Sequence, residues 1–272
     1  MAMKKLFATV AALVFVFALS SRASASSRVF TLPPQAREIA PNVYDLGVST
    51  DNTGRKVQGL AIIHPKPYVG HHHRDGHTGG PGGGGGSSKC YAFIANGARW
   101  RTTEDYLVNP ENSAGLDHQA VRDNLKVAMN AWDNEVAFQI FGVESAGVVD
   151  GLDTSSTDGK NEIMFGDISD SGAIAVTIVW YTVGGPPWAR QIVEHDQMYD
   201  DADFGWSVGD PVGSESMDFL NIATHEIGHS AGMGHPEDSC TGETMFRFAT
   251  EGETKKRDLH TGDTAGVADL YN

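Results

Sequence analysis

The chain has 272 residues, with 20 Lys+Arg against 35 Asp+Glu, a formal net charge of -15, and 40% hydrophobic residues including 9% aromatics. The acid surplus argues against a nucleic-acid binder or a protein that grips anionic membranes, because the basic footprint such partners need is missing. The apolar content excludes a wholly disordered chain, and the length allows one or two domains.

Lys4 and Lys5 precede an apolar run over 6–19 and small residues ending in Ala23-Ser24-Ala25. That order predicts a secretory signal over 1–25, since the run is short for a bilayer core about 30 Å thick. Export, an extracellular location and no stable membrane span after cleavage follow as expectations. Residues 26–78 read as a pre-domain or pro-segment, of which 26–68 look either weakly ordered or like a small domain, with one strand-like patch near 60–63. Its His71, His72, His73 and His77 suit either a solvated tract or a zinc-holding one. Residues 79–88, with Gly82 to Gly86 in succession, read as a linker. They are no phosphate loop, because Ser87 stands where that loop requires Lys.

The main domain is predicted over 89–272. A strand is expected over 101–108, then a helix over 117–135 with Ala120, Val121, Leu125, Ala128, Met129 and Trp132 at helical spacing. Strand-like runs follow over 136–141, 162–165, 173–180 and 190–194. Helical spacing returns over 217–230, and a last helix is expected over 264–271 with Asp263 as N-cap. This order predicts an α+β domain. In an oxidising compartment Cys90 and Cys240 read as a disulfide. It would close a loop worth at most roughly 5 kcal/mol in chain entropy. The alternative is a free Cys90 thiolate capping a metal.

The chemistry is concentrated in His225-Glu226-Ile227-Gly228-His229-Ser230-Ala231-Gly232-Met233-Gly234-His235, an HExxHxxGxxH pattern. Four residues make about one helical turn, so His225 and His229 project from one face toward one ion. Gly232 permits the positive φ that reverses the chain and returns His235 as a third ligand. Three neutral imidazoles with a fourth position open describe a catalytic Zn2+. Glu226 is the expected general base and acid, taking a proton from the attacking water and delivering it to a leaving amine. By composition alone the five fixed positions would match in roughly one such chain in ten thousand.

These residues resemble the metzincin metallopeptidases, and within them the matrixin branch, over nearly all of 89–272. The resemblance implies a twisted mixed five-stranded sheet with an active-site helix, a long packing helix and a C-terminal helix. It implies that Met245 is the Met-turn residue beneath the imidazoles and that Asp263 braces that turn. Residues 161–166 and 172–177 are similar to the strands before the zinc helix, the second implied to be an edge strand that pairs with an extended substrate. It makes Asp200, Asp201 and Asp203 candidate Ca2+ ligands, with an acidic solvated turn as the alternative. Departures are the lack of a PRCGxPD-like cysteine switch, Met198 where a structural-zinc His would stand, and Arg247 in place of a tyrosine switch.

The expected function is that of a secreted zinc endopeptidase acting on proteins or peptides. A non-catalytic zinc-binding interaction module and a metallohydrolase of non-peptide amides or esters are the alternatives.

Overall fold

The computed structural model describes residues 28–67 and 89–272. The predicted signal, the His71–His77 tract and the glycine linker lie outside the described residues. In chain order the strands are β1 (Val29–Phe30), β2 (Arg37–Ala40), β3 (Val43–Thr50), β4 (Lys56–Pro65), β5 (Ala92–Phe93) and β6 (Glu104–Asn109). Helix α1 (His118–Asp133) follows, then β7 (Phe141–Glu144), β8 (Glu162–Ile168), β9 (Ala173–Thr182), β10 (Ile192–Asp200), β11 (Trp206–Ser207) and β12 (Met217–Asp218). Helix α2 (Phe219–Ser230), β13 (Met233–Gly234) and α3 (Thr261–Tyr271) complete the order. Among the described residues no helix is long and apolar enough to cross a membrane.

The main sheet runs β2-β3-β4-β9-β10-β8-β6-β7, with β1 beside β8. Strands β7, β6, β8 and β10 are parallel neighbours, and β9 is antiparallel to β10. They form the mixed five-stranded arrangement that the resemblance implies, within an α+β domain. Strands β8 and β9 read as nearly continuous apolar runs and are buried along almost their whole length, as strands covered on both faces should be.

The difference lies at β9, which is not an edge. Strand β4 pairs with it antiparallel from Val57 opposite Thr182 to Pro65 opposite Ala173, and β3 and β2 extend the sheet further. The segment read as weakly ordered or as a small domain is therefore built into the sheet. Leu60 and Ile62 join one apolar cluster with α1 and α2, while Val57, Ala61 and Ile63 join a second with Ile178, Trp180 and Met198. Burial of these side chains outweighs the weak local signal of the surrounding polar turns. Gly59 lies against the Trp180 indole so closely that a Cβ there would stand 2.8 Å from the ring.

Element boundaries also differ from expectation: β6 begins at Glu104, Met217 and Asp218 form β12 ahead of α2, and three further shifts have a visible cause. Residues 136–140 are no strand, because the Asp133 carboxylate accepts the amides of Ile140 and Phe141 and turns the chain before β7 begins. The final helix starts at Thr261 with His260 as N-cap, and Asp263 is the N3 residue of a capping box, accepting the His260 amide. Strand β10 runs on to Asp200, six residues past the expected end, because it gains ladders to both β8 and β9.

Helix α1 starts where the Asp117 carboxylate accepts the Ala120 amide, and it buries Val121, Leu125, Ala128, Met129 and Trp132. Trp132 also donates its indole N–H to the Thr224 carbonyl, fixing α1 against α2. The end of α2 is closed by Trp100 donating to the Ser230 carbonyl and Tyr271 donating to that of Ala231, which satisfies acceptors a helix terminus leaves open.

Candidate metal centre and active site

Helix α2 is buried along nearly all its length, from a start capped by Asp218, whose carboxylate accepts the Leu220 amide. His225 and His229 stand one turn apart on it. The chain then reverses at Gly232, whose φ of 106° is open to glycine, and where a Cβ would meet the Ala98 carbonyl at 2.8 Å. That reversal returns His235 to the two helix histidines. The three Nε2 atoms lie 3.1, 3.1 and 3.3 Å apart.

His225 Nδ1 donates to the Thr244 carbonyl at 2.7 Å, and His229 Nδ1 donates to the Met233 carbonyl at 2.9 Å. With the Nδ1 protons engaged, each ring turns the lone pair of Nε2 inward. Lone pairs so close repel unless a cation lies between them. Four-coordinate zinc with nitrogens at about 2.0–2.1 Å would separate those nitrogens by about 3.3–3.4 Å, so the donor set and its spacing fit that ion. Burial lowers the pKa of all three histidines, that of His229 to about 4, which keeps them in the neutral form a metal needs.

Met245 is fully buried under α2 at Gly228, where a Cβ would meet its sulfur at 2.3 Å and the Trp132 ring at 2.5 Å. Asp263 accepts the amides of Thr244 and Met245 at 2.7 and 3.1 Å and thereby holds that turn. Cys90 and Cys240 form a disulfide with Cα atoms 5.5 Å apart, tying the start of the C-terminal part to the loop between His235 and Met245.

Glu226 is wholly buried, and three residues the sequence reading passed over surround it. His64 of β4 donates from Nδ1 to Glu226 Oε1 at 2.9 Å, and the Thr177 hydroxyl of β9 donates to Oε2 at 2.6 Å. The His64 ring lies 3.9 Å from that of His225, centroid to centroid, and its Nε2 accepts from Lys256 Nζ at 3.1 Å. Lys256 also donates to the Phe246 carbonyl and is fully buried. Burial raises the Glu226 pKa to about 8 against the opposing Thr177 hydrogen bond, and burial lowers that of Lys256 to about 7. Thr177 was detectable in principle as a polar residue inside an apolar run. His64, at the end of the apolar run in β4, gave a weaker signal, and Lys256 in Lys255-Lys256-Arg257 gave none.

The three aspartates proposed for calcium are not brought together as a set. Asp200 and Asp203 are joined by Asp167, with candidate ligand oxygens within 4.8 Å of one another. Asp201 turns away and accepts the Ser113 amide at 2.5 Å. Asp200 Oδ2 is buried without a hydrogen-bond partner, and burial raises the pKa of that carboxyl to about 6.

The matrixin family model matches residues 99–272. Metalloendoproteinase 1-MMP of Arabidopsis thaliana is 37% identical to the chain over 81 residues, 29% of this chain and 21% of that protein. Human Matrilysin is 37% identical over 71 residues, 26% of this chain and 25% of its own. The chain thus spans about a quarter or less of the length of these curated relatives.

Proposed function

This chain belongs to the matrixin family, and we propose on that premise that it is a secreted zinc-dependent endopeptidase acting on proteins or peptides. The observation that carries the proposal is the convergence of three Nε2 atoms at 3.1 to 3.3 Å, beside a buried carboxyl on the helix that bears two of them. His225, His229 and His235 would hold the zinc, which when bound supplies Lewis acidity and lowers the pKa of water to about 7.

The protein's own part is to position groups and move a proton. Glu226 Oε1 is the acceptor for a proton from the attacking water, and the same carboxyl returns it to the leaving amine. Burial holds this group near neutrality, where one residue can serve both halves of the exchange. Thr177 fixes the other oxygen, so the carboxyl is held in one orientation. Met245 and Asp263 keep the His225 side of the site rigid through Thr244. For calcium the proposal is amended to Asp167, Asp200 and Asp203.

The test is slow cleavage of a denatured protein by the purified chain, followed over hours. Cleavage should disappear with a chelator, return with zinc and be absent from Glu226→Gln. Persistence of cleavage in that variant or with chelator rules the assignment out.

A further inference from the structure

We propose that β4 is a built-in occupant of the edge on which an extended peptide would dock, so that the folded chain is latent and acts on substrate only when β4 leaves β9. This rests on the peptidase reading above and adds how that site is regulated.

A peptide recognised as an added strand needs free main-chain N–H and C=O groups on an open sheet edge. Strand β9 has none to offer, because β10 takes one side and β4 the other along its whole length. The strand that fills this place also carries the side chain that fills the site. His64 lies opposite Ala175, packs on the His225 ring and bonds Glu226. With it in place Glu226, His225 and His229 have no exposed surface, so the expected base cannot meet water. A docked peptide would place one of its own side chains where His64 now sits.

Strand β4 is also separable in principle. The family match begins at residue 99, so β4 lies outside the matched residues. The disulfide joins two residues that both follow β4 in the chain, so it does not fasten β4 to β9. The device also differs from a thiolate cap on the metal. Both His64 nitrogens are engaged, one with Glu226 and one with Lys256.

The test uses the zinc-loaded chain and two variants that loosen β4 by different means. Ile62→Pro removes an N–H that faces β9, since the Ile63 amide bonds the Asn42 carbonyl on the β3 side. Gly59→Val drives a side chain into Trp180. Turnover of a denatured protein should rise at least tenfold in both variants, with the amides of 219–230 as protected as in the native chain. A fluorescein-labelled peptide of residues 56–65 should bind each variant in a Glu226→Gln background and not bind Glu226→Gln alone.

Peptide binding confined to the loosened variants, with no cleavage by any of them, supports occupancy of the edge and overturns the peptidase reading. Native cleavage that the variants do not accelerate overturns the inference and leaves that reading intact. So does native turnover that proceeds while the amides of 173–182 stay protected, a measurement that needs no variant to fold.

Discussion

His64 Nδ1 and Glu226 Oε1 meet at 2.9 Å across 162 residues of chain. Because Lys256 donates to His64 Nε2, the proton of the neutral ring must lie on Nδ1, and the three residues form one chain of donors ending at the carboxyl. Lys256 and Glu226 are thus bridged by a neutral imidazole, with all three side chains fully buried. Such a network is favourable only while every member is satisfied.

Glu226→Gln keeps an oxygen for the His64 hydrogen bond and removes the capacity to take a proton. In the Ile62→Pro chain it should lower kcat/KM by about 10²–10⁴-fold, the range general acid–base groups usually contribute, with one zinc still bound per chain. Metal content and turnover measured on the same sample check this. Retention of more than a tenth of the activity would remove Glu226 from its role.

Replacing both cysteines by serine should lower stability by about 2–5 kcal/mol, since the bridge closes a long loop of the unfolded chain. Denaturant unfolding of the paired variants reads this directly. Zinc binding should survive, because no ligand lies on Cys90 or Cys240. A variant as stable as the native chain contradicts the expectation.

Gly228→Ala places a methyl group where Met245 Sδ and Trp132 already stand. Overpacking of this kind costs about 1–3 kcal/mol. Because residue 228 lies between the two helix ligands, zinc affinity should fall with stability. Equal melting temperatures and equal zinc dissociation constants for the two proteins would show that the turn beneath α2 is softer than its packing implies.

Asp153 crowds against Glu194 and Asp196 of β10, and burial raises all three carboxyls, Glu194 to about 10. A raised acid keeps its proton in the folded state while the unfolded chain releases it near its ordinary value of 4.5. The stabilisation is therefore complete below about pH 4.5 and is lost as pH rises toward 10. In chelator, the urea midpoint should fall from pH 5 to pH 9, and Glu194→Gln should flatten that fall. A native midpoint that rises over this range would contradict the assignment.

The zinc ligands and the base were legible because helix geometry turns sequence spacing into spatial proximity. His225 and His229 need only one turn of α2, and Gly232 needs only a positive φ. Helix α1 was legible for the same reason, its buried positions recurring at helical spacing. The residues around Glu226 were not legible, since Thr177, His64 and Lys256 come from β9, β4 and the segment before α3. No local pattern links them. The run over 136–141 misled because Val136, Phe138 and Ile140 reach the core from a loop held by Asp133, and only Phe141 enters a strand.

Residue types and local spacing carried the chemistry of the site: which side chains offer donors for a metal, which carboxyl stands beside them, and that two cysteines were there to pair. Those features depend on residue type and on distances along one helix and one turn. What lies against them came from long-range packing. Strand pairing is specified by main-chain hydrogen bonds and by burial across long sequence separations, and a lone apolar run does not name its partner. That is why residues 60–63 could be read as a strand-like patch and yet not as part of the neighbour of β9, with His64 lodged against the carboxyl at the centre of the site.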